Sequence, residues 1–275
     1  MAKSITFMTF NGKGGVGKSL VAALTAQTLL KTNAVKNGQY KLKCFDIDPR
    51  NPTFTAFKRL NVKHNALRSN HDDNKVDMEK IGQIMEQIVT PNEDVVNVID
   101  IGSGSYGPLF SYMTGADVTE VLRELGHEIY FQIIIAGGQS YTETSNDLLR
   151  FKENLPNDLV SVWINNYFGG VSLNTPSGSK TENFLESALY QQCEDQVHSV
   201  VNLPPFDPET YGKDLEAMLS AGLTFEEVQG QEEIPIFSRN RLKKMERSFM
   251  EATTAILPHA LDTPPTAPLA KDEEA

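Results

Sequence analysis

The sequence predicts a doubly wound α/β fold, a mostly parallel sheet with helices on both faces, and three observations carry that prediction. Six short apolar runs, at residues 5–10, 42–47, 95–101, 129–136, 159–164 and 197–203, read as strands buried on both faces. Helix-length segments separate them, as at 75–89, where Ile81, Ile84, Met85 and Ile88 recur at i, i+3, i+4 and i+7. A glycine-rich turn joins the first run to an apolar helix at 20–30, and strands alternating with helices imply a parallel sheet.

A chain of 275 residues with 40% hydrophobic and 22% charged residues has the balance of a globular protein, and one domain is expected. That domain spans 1–257, and the proline-rich acidic stretch 258–275 is expected to be a disordered tail. The formal charge of -11 argues against extensive direct DNA binding or general attraction to an anionic bilayer. Cys44 and Cys193 lack any zinc spacing and read as buried free thiols of a reducing compartment. The first residues run straight into the glycine-rich motif, which predicts a cytoplasmic protein without a signal peptide. The polar stretch 61–77, with His64, His71, Asp72 and Asp73, reads as a solvated loop because its spacing matches no metal motif.

The turn itself, Gly12-Lys13-Gly14-Gly15-Val16-Gly17-Lys18-Ser19, satisfies G-x-x-x-x-G-K-[ST], the phosphate loop of nucleoside triphosphatases, with the required strand before it and helix after it. Glycines let backbone N–H groups turn inward around phosphate oxygens, and the helix adds the positive end of its dipole. The expected nucleotide contacts are these eight residues and Leu20. Lys18 should reach the β- and γ-phosphates, and Ser19 should place its hydroxyl on Mg²⁺. The second strand ends Asp46-Ile47-Asp48-Pro49, so alternation sets both carboxylates on one side, at the sheet edge where ligands bind. The third strand ends in Asp100, the Walker B position that holds the metal through its water shell. Ser19, Asp46, Asp48 and Asp100 are therefore the expected residues around Mg²⁺, with ATP as the nucleotide.

The string Gly102-Ser103-Gly104-Ser105-Tyr106-Gly107 spells a dinucleotide fingerprint, but the next strand ends at Ala136-Gly137-Gly138 without the acid such a site needs. These glycines read instead as a mobile loop that senses the γ-phosphate.

The paired lysines Lys13 and Lys18 resemble the deviant Walker A of the ParA/MinD group, and Asp46-Ile47-Asp48-Pro49 resembles its switch I. Further strings resemble the TraL family of conjugative plasmids, related to the StbB plasmid-stability ATPases: Asp48-Pro49-Arg50-Asn51-Pro52-Thr53-Phe54, Leu125-Gly126-His127-Glu128, Ala136-Gly137-Gly138-Gln139 and Asn165-Asn166-Tyr167-Phe168-Gly169. The likeness runs from the start to about Phe225. It implies an ATP-dependent homodimer in which Lys13 crosses to the partner's phosphates, Asp48 positions the attacking water and Asp46 stands in the metal's second shell. It also implies that Asn165 reads the base and that Pro204 lies near the loop packing on adenine. Arg50 stands where ParA has Gln, and Gly102 with Ser103 where it has two prolines, so ParA's switch behaviour does not carry over.

The expected function is a Mg-ATP-hydrolysing switch serving plasmid transfer or stability through other plasmid proteins. The alternatives are a nucleotide-gated interaction module with little turnover, or a P-loop kinase or synthetase, for which no substrate constellation is apparent. Along 239–257, Leu242, Met245, Phe249 and Ile256 recur near helical spacing beside Arg239, Arg241, Lys243, Lys244 and Arg247. A helix packed on the domain is preferred there over a partner-binding or membrane helix, since Glu246 and Glu251 dilute the basic face.

Overall fold

The computed structural model describes residues 3–65, 67, 77–88, 93–115, 117–167 and 169–262. Nine strands lie among them: β1 Ser4–Thr9, β2 Lys41–Asp46, β3 Lys63–His64, β4 Val95–Asp100, β5 His127–Ala136, β6 Leu159–Asn165, β7 Leu173–Asn174, β8 Lys180–Thr181 and β9 Val197–Asn202. Seven form one parallel sheet in the order β3-β2-β4-β1-β5-β6-β9, while β7 and β8 make a separate hairpin. All six apolar runs are strands, and the mostly parallel doubly wound sheet is present.

Helices cover both faces. In chain order they are α1 Lys18–Lys31, α2 Asn33–Lys36, α3 Met78–Ile88, α4 Ser103–Gly115, α5 Val118–Glu124 and α6 Tyr141–Asn154. After β6 come α7 Ala188–Cys193, α8 Lys213–Ser220, α9 Phe225–Gln229, α10 Ile236–Thr253 and α11 His259–Asp262. Alternation along the strands divides the core in two. Ile5 and Phe7 of β1 with Val96 and Val98 of β4 join α1 and α10 on one face. Met8 with Ile99 joins α3, α4 and α6 on the other. Strands covered on both faces have no polar side, hence the continuous apolar runs. In α1, Val21, Leu24 and Leu29 are fully buried, which contributes about 1.5–3 kcal/mol for each side chain.

Sheet order places the site. From β1 the chain runs out to β2 and β3, returns to insert β4 beside β1, then crosses to β5, β6 and β9 on the other side, so β1 lies at the reversal of strand order. Crevices beyond the strand C-termini at such a point are where ligands bind in open α/β sheets. The loop after β1 opens there.

Three expectations need correction. Residues 103–107 are not a loop: they form the first turns of α4, where Ser105 is buried and its hydroxyl donates to the Ile47 carbonyl at 3.1 Å. Tertiary packing overrides the low helix propensity of glycine there. Within 61–77, Lys63–His64 pairs with Phe45 and Asp46 as an edge strand, and His71, Asp72 and Asp73 lie outside the described residues. The fold also continues past 257, because α11 packs on α2 with Leu261 fully buried, whereas 263–275 lie outside the described residues. In the stretch 239–257 the packed helix holds: Leu242, Met245 and Phe249 of α10, then Ile256, join the core. Among the described residues no helix is long and apolar enough to cross a membrane. Cys44 and Cys193 are buried free thiols, pushed up to about 12 and about 11 by burial, so neither is a ready thiolate.

Candidate functional site

The glycine-rich loop owes its path to two glycines with left-handed backbone, Gly15 at φ 75° and Gly17 at φ 105°. Gly17 is the N-cap of α1, so the loop delivers its amides onto the positive end of that helix. Gly12 is constrained differently, since a Cβ there would come within 2.9 Å of the Tyr106 ring. Lys18 is buried, and its ammonium lies inside the loop, donating to the Lys13 carbonyl at 2.6 Å. Burial lowers its pKa, while Asp100, Asp147 and Asp48 pull it back up. A desolvated cation held inside a glycine-rich loop is suited to a polyphosphate.

The hydroxyl of Ser19 links the loop to the sheet. It donates to Asp100 Oδ2 at 2.5 Å and accepts from Thr53 Oγ1 at 2.7 Å, so the expected metal residues Ser19 and Asp100 do meet. Asp100 Oδ1 accepts from Thr9 Oγ1 at 3.1 Å. Burial pushes the Asp100 carboxyl up to about 6; neighbouring Asp46 adds to this, and the Ser19 and Thr9 hydroxyls oppose it. Register explains the proximity, because Asp46 and Asp100 are direct partners on adjacent strands.

Asp46 turns inward and braces a loop. Fully buried, it accepts from Asp48 N at 3.0 Å on one oxygen and from Thr55 N and Oγ1 at 3.0 and 3.1 Å on the other. That clamp shapes 48–55 and sets Thr53 over Ser19. Asp48 is partly exposed, with Oδ1 capping the turn through Arg50 N at 2.8 Å and Asn51 N at 3.0 Å. Its other edge lies against Gly102, where a Cβ would stand 2.3 Å from Asp48 Cγ.

The donors suit Mg²⁺ in kind, being hydroxyl and carboxylate oxygens. Among the described residues no group of three or more His, Cys, Asp or Glu could hold a metal unaided. Mg²⁺ takes one or two carboxylates and completes its shell with water and substrate phosphates, which matches a site of Ser19 and Asp100 beside a phosphate loop.

Lys13 does not point into free solution. Its ammonium pairs with Glu143 Oε2 at 2.6 Å, on the first turn of α6. One turn later Asp147 accepts from Asn11 Nδ2 at 3.1 Å and Gly12 N at 2.9 Å, and also from Lys13 N. Asn11 completes the brace through Ile134 N and O of β5 at 2.8 and 3.1 Å. The sequence reading passed over Asp147, Asn11, Glu143, Thr53 and Thr9. Thr53 was legible from its place in the switch-like string, but Asp147 reaches the loop across 135 positions and carries no local signal.

On the other side of the loop stands Asn165. Its amide is nearly buried, donating to the Val16 carbonyl at 3.0 Å and accepting from Tyr167 N at 3.0 Å. The first of these bonds ties Asn165 to the phosphate loop. Pro204 follows β9, where Leu203 N donates to Ile164 O at 3.0 Å, so it shares Asn165's sheet edge. Leu20, in the first turn of α1, is partly buried against the core.

No family model matches the chain. A protein TraL of Escherichia coli is 32% identical over 249 residues, covering 90% of this chain and 96% of the relative. The chain belongs to the TraL family. A second Escherichia coli TraL protein is 32% identical over 237 residues, 86% of this chain and 91% of the relative. Among solved structures, the MinD cell division protein of Aquifex aeolicus is similar at 13% identity and a TM-score of 0.44, covering 90% of this chain and 98% of that one. In this TraL-family chain the loop, Ser19, Thr53 and the two strand-end acids thus form one crevice, with Lys13 at its rim.

Proposed function

We propose that the chain binds Mg-ATP and hydrolyses it as a molecular switch of the ParA/MinD type, serving plasmid conjugative transfer or plasmid stability. The observation that carries this reading is the chain of contacts Thr53–Ser19–Asp100 beside Lys18. It ties a candidate switch segment, the loop and the Walker B acid to one hydroxyl. Bound Mg²⁺ would offset phosphate charge; Ser19 and Asp100 would hold it, the acid through water. Lys18 would neutralise the β- and γ-phosphates. Asp48, which lies beside Gly102, would orient the attacking water.

ATP-dependent homodimerisation belongs to the same reading. Lys13 would exchange Glu143 for the phosphates of a partner's nucleotide, as the family resemblance implies. The pairing within one chain favours slow turnover before assembly. Membership of the TraL family supports the plasmid context, and plasmid transfer or stability proteins are the partners it implies.

The test measures phosphate release and binding of a non-hydrolysable ATP analogue by purified protein, with and without Mg²⁺. Magnesium-dependent binding with measurable release supports the switch. Binding with no release, alone or with plasmid transfer proteins, would leave a nucleotide-gated interaction module instead. Absence of binding would remove the proposal altogether.

A further inference from the structure

Helix α10 spends one stripe on the core and leaves another outside. The buried stripe is Leu242, Met245 and Phe249, with Arg241 paired to Asp214 at 2.5 Å beside it. The exposed stripe runs Ile236, Asn240, Lys243 and Arg247, spaced i, i+4, i+7 and i+11, with Phe237 at its apolar end. Ile236 and Phe237 are 68% and 74% exposed, more than any other large hydrophobic described.

Two features make this stripe unlike an ordinary solvated face. Lys243 and Arg247 are like charges one turn apart, an arrangement that destabilises a helix, and no carboxylate among the described residues pairs with either. That is unexpected in a chain carrying 36 acidic residues against 25 basic. Of the acids along the same helix, Glu246 is taken by Lys31 at the end of α1, and Glu251, four residues past Arg247, forms no ion pair with it. Lys243 and Arg247 also border an open groove of ≈ 270 Å³, lined by Lys31, Lys243, Glu246, Arg247 and Met250.

We propose that this stripe is a docking surface for an acidic segment of a partner protein, distinct from the nucleotide crevice. Charge complementarity sets the sign: of three cations and one carboxylate lining the groove, Lys31 and Glu246 neutralise each other, and Lys243 and Arg247 remain. The stripe sets the spacing. An apolar side chain of the partner lies against Ile236 and Phe237, and its carboxylates fall about 10 and about 16 Å further along, at the rise of a helix. An anionic membrane fits less well. The main apolar stripe of α10 is committed to the core, which leaves a bilayer only Ile236 and Phe237 to take up.

The experiment uses the full chain and a fluorescein-labelled helical peptide of about 16 residues, with two leucines near one end and glutamates two and three turns further on. Wild-type protein should bind it, more weakly as salt rises, and a control peptide with lysine for each glutamate should not bind. Lys243→Glu with Arg247→Glu should weaken binding about ten-fold or more and leave ATP-analogue affinity and the melting curve unchanged, since both residues are exposed. Phe237→Ala should weaken binding several-fold without altering its salt dependence. Equal binding of both peptides, or equal binding by the charge-reversed protein, would overturn the proposal, as would absence of binding at about 1 mM peptide. Flotation of wild-type protein with phosphatidylserine vesicles, lost on charge reversal, would transfer the surface to a membrane and overturn it too.

Discussion

Gly102→Ala is the most incisive substitution available in the crevice, because it adds one methyl group and no charge. Gly102 is not among the glycines with left-handed backbone, so alanine is conformationally permitted there and only the contact matters. An ideal Cβ would lie 2.3 Å from Asp48 Cγ, 2.5 Å from Oδ2 and 2.7 Å from Cβ. Ordinary carbon contacts begin at about 3.5 Å, so the carboxylate must retreat by about 1 Å. A misplacement of that size at a group that orients a reactant slows the chemical step by about 10²-fold. Lys18 and Ser19 are untouched, and ATP affinity should hold. Single-turnover phosphate release with calorimetry of analogue binding separates the two quantities. Overpacking should also cost about 1–3 kcal/mol of stability, and that cost should largely vanish in an Asp48→Gly background, where the obstructing side chain is gone. A Gly102→Ala protein that hydrolyses ATP at the wild-type rate, or one destabilised equally in both backgrounds, would refute the argument.

Lys18→Ala should abolish ATP binding, since it removes the buried cation from the loop; unchanged affinity by calorimetry would sink the phosphate-site assignment. Asp147→Ala takes away acceptors for Asn11 Nδ2, Gly12 N and Lys13 N, so ATP affinity should fall about ten-fold through a loosened loop, read by titration. Sedimentation with a non-hydrolysable analogue should show a weaker dimer for Lys13→Ala. For Glu143→Gln the dimer should tighten by no more than about five-fold, because the pair it breaks is exposed; a monomeric wild type under these conditions would exclude the lysine in trans. Asp100→Asn removes a buried carboxylate whose pKa burial has raised, so the melting temperature should not fall while magnesium-dependent hydrolysis is lost; retained hydrolysis would move the metal site elsewhere.

The local pattern was enough for the parallel sheet, because strands covered on both faces are largely apolar, and the central runs 95–101 and 129–136 are buried almost throughout. It was enough for the phosphate loop as well. Gly15, Gly17, Lys18 and Ser19 act through backbone conformation and chemistry confined to eight consecutive positions. The tertiary structure decided what depends on distant partners. Residues 103–107 became helix because Ser105 bonds the Ile47 carbonyl and Tyr106 packs against Gly12, a gain that outweighs glycine's entropy cost. Asn165 braces the loop because β6 ends beside Val16, a contact no local pattern announces. Asp147 and Glu143 emerged only when α6 folded back over the loop, for a contact across 135 positions leaves no periodicity in the chain that makes it.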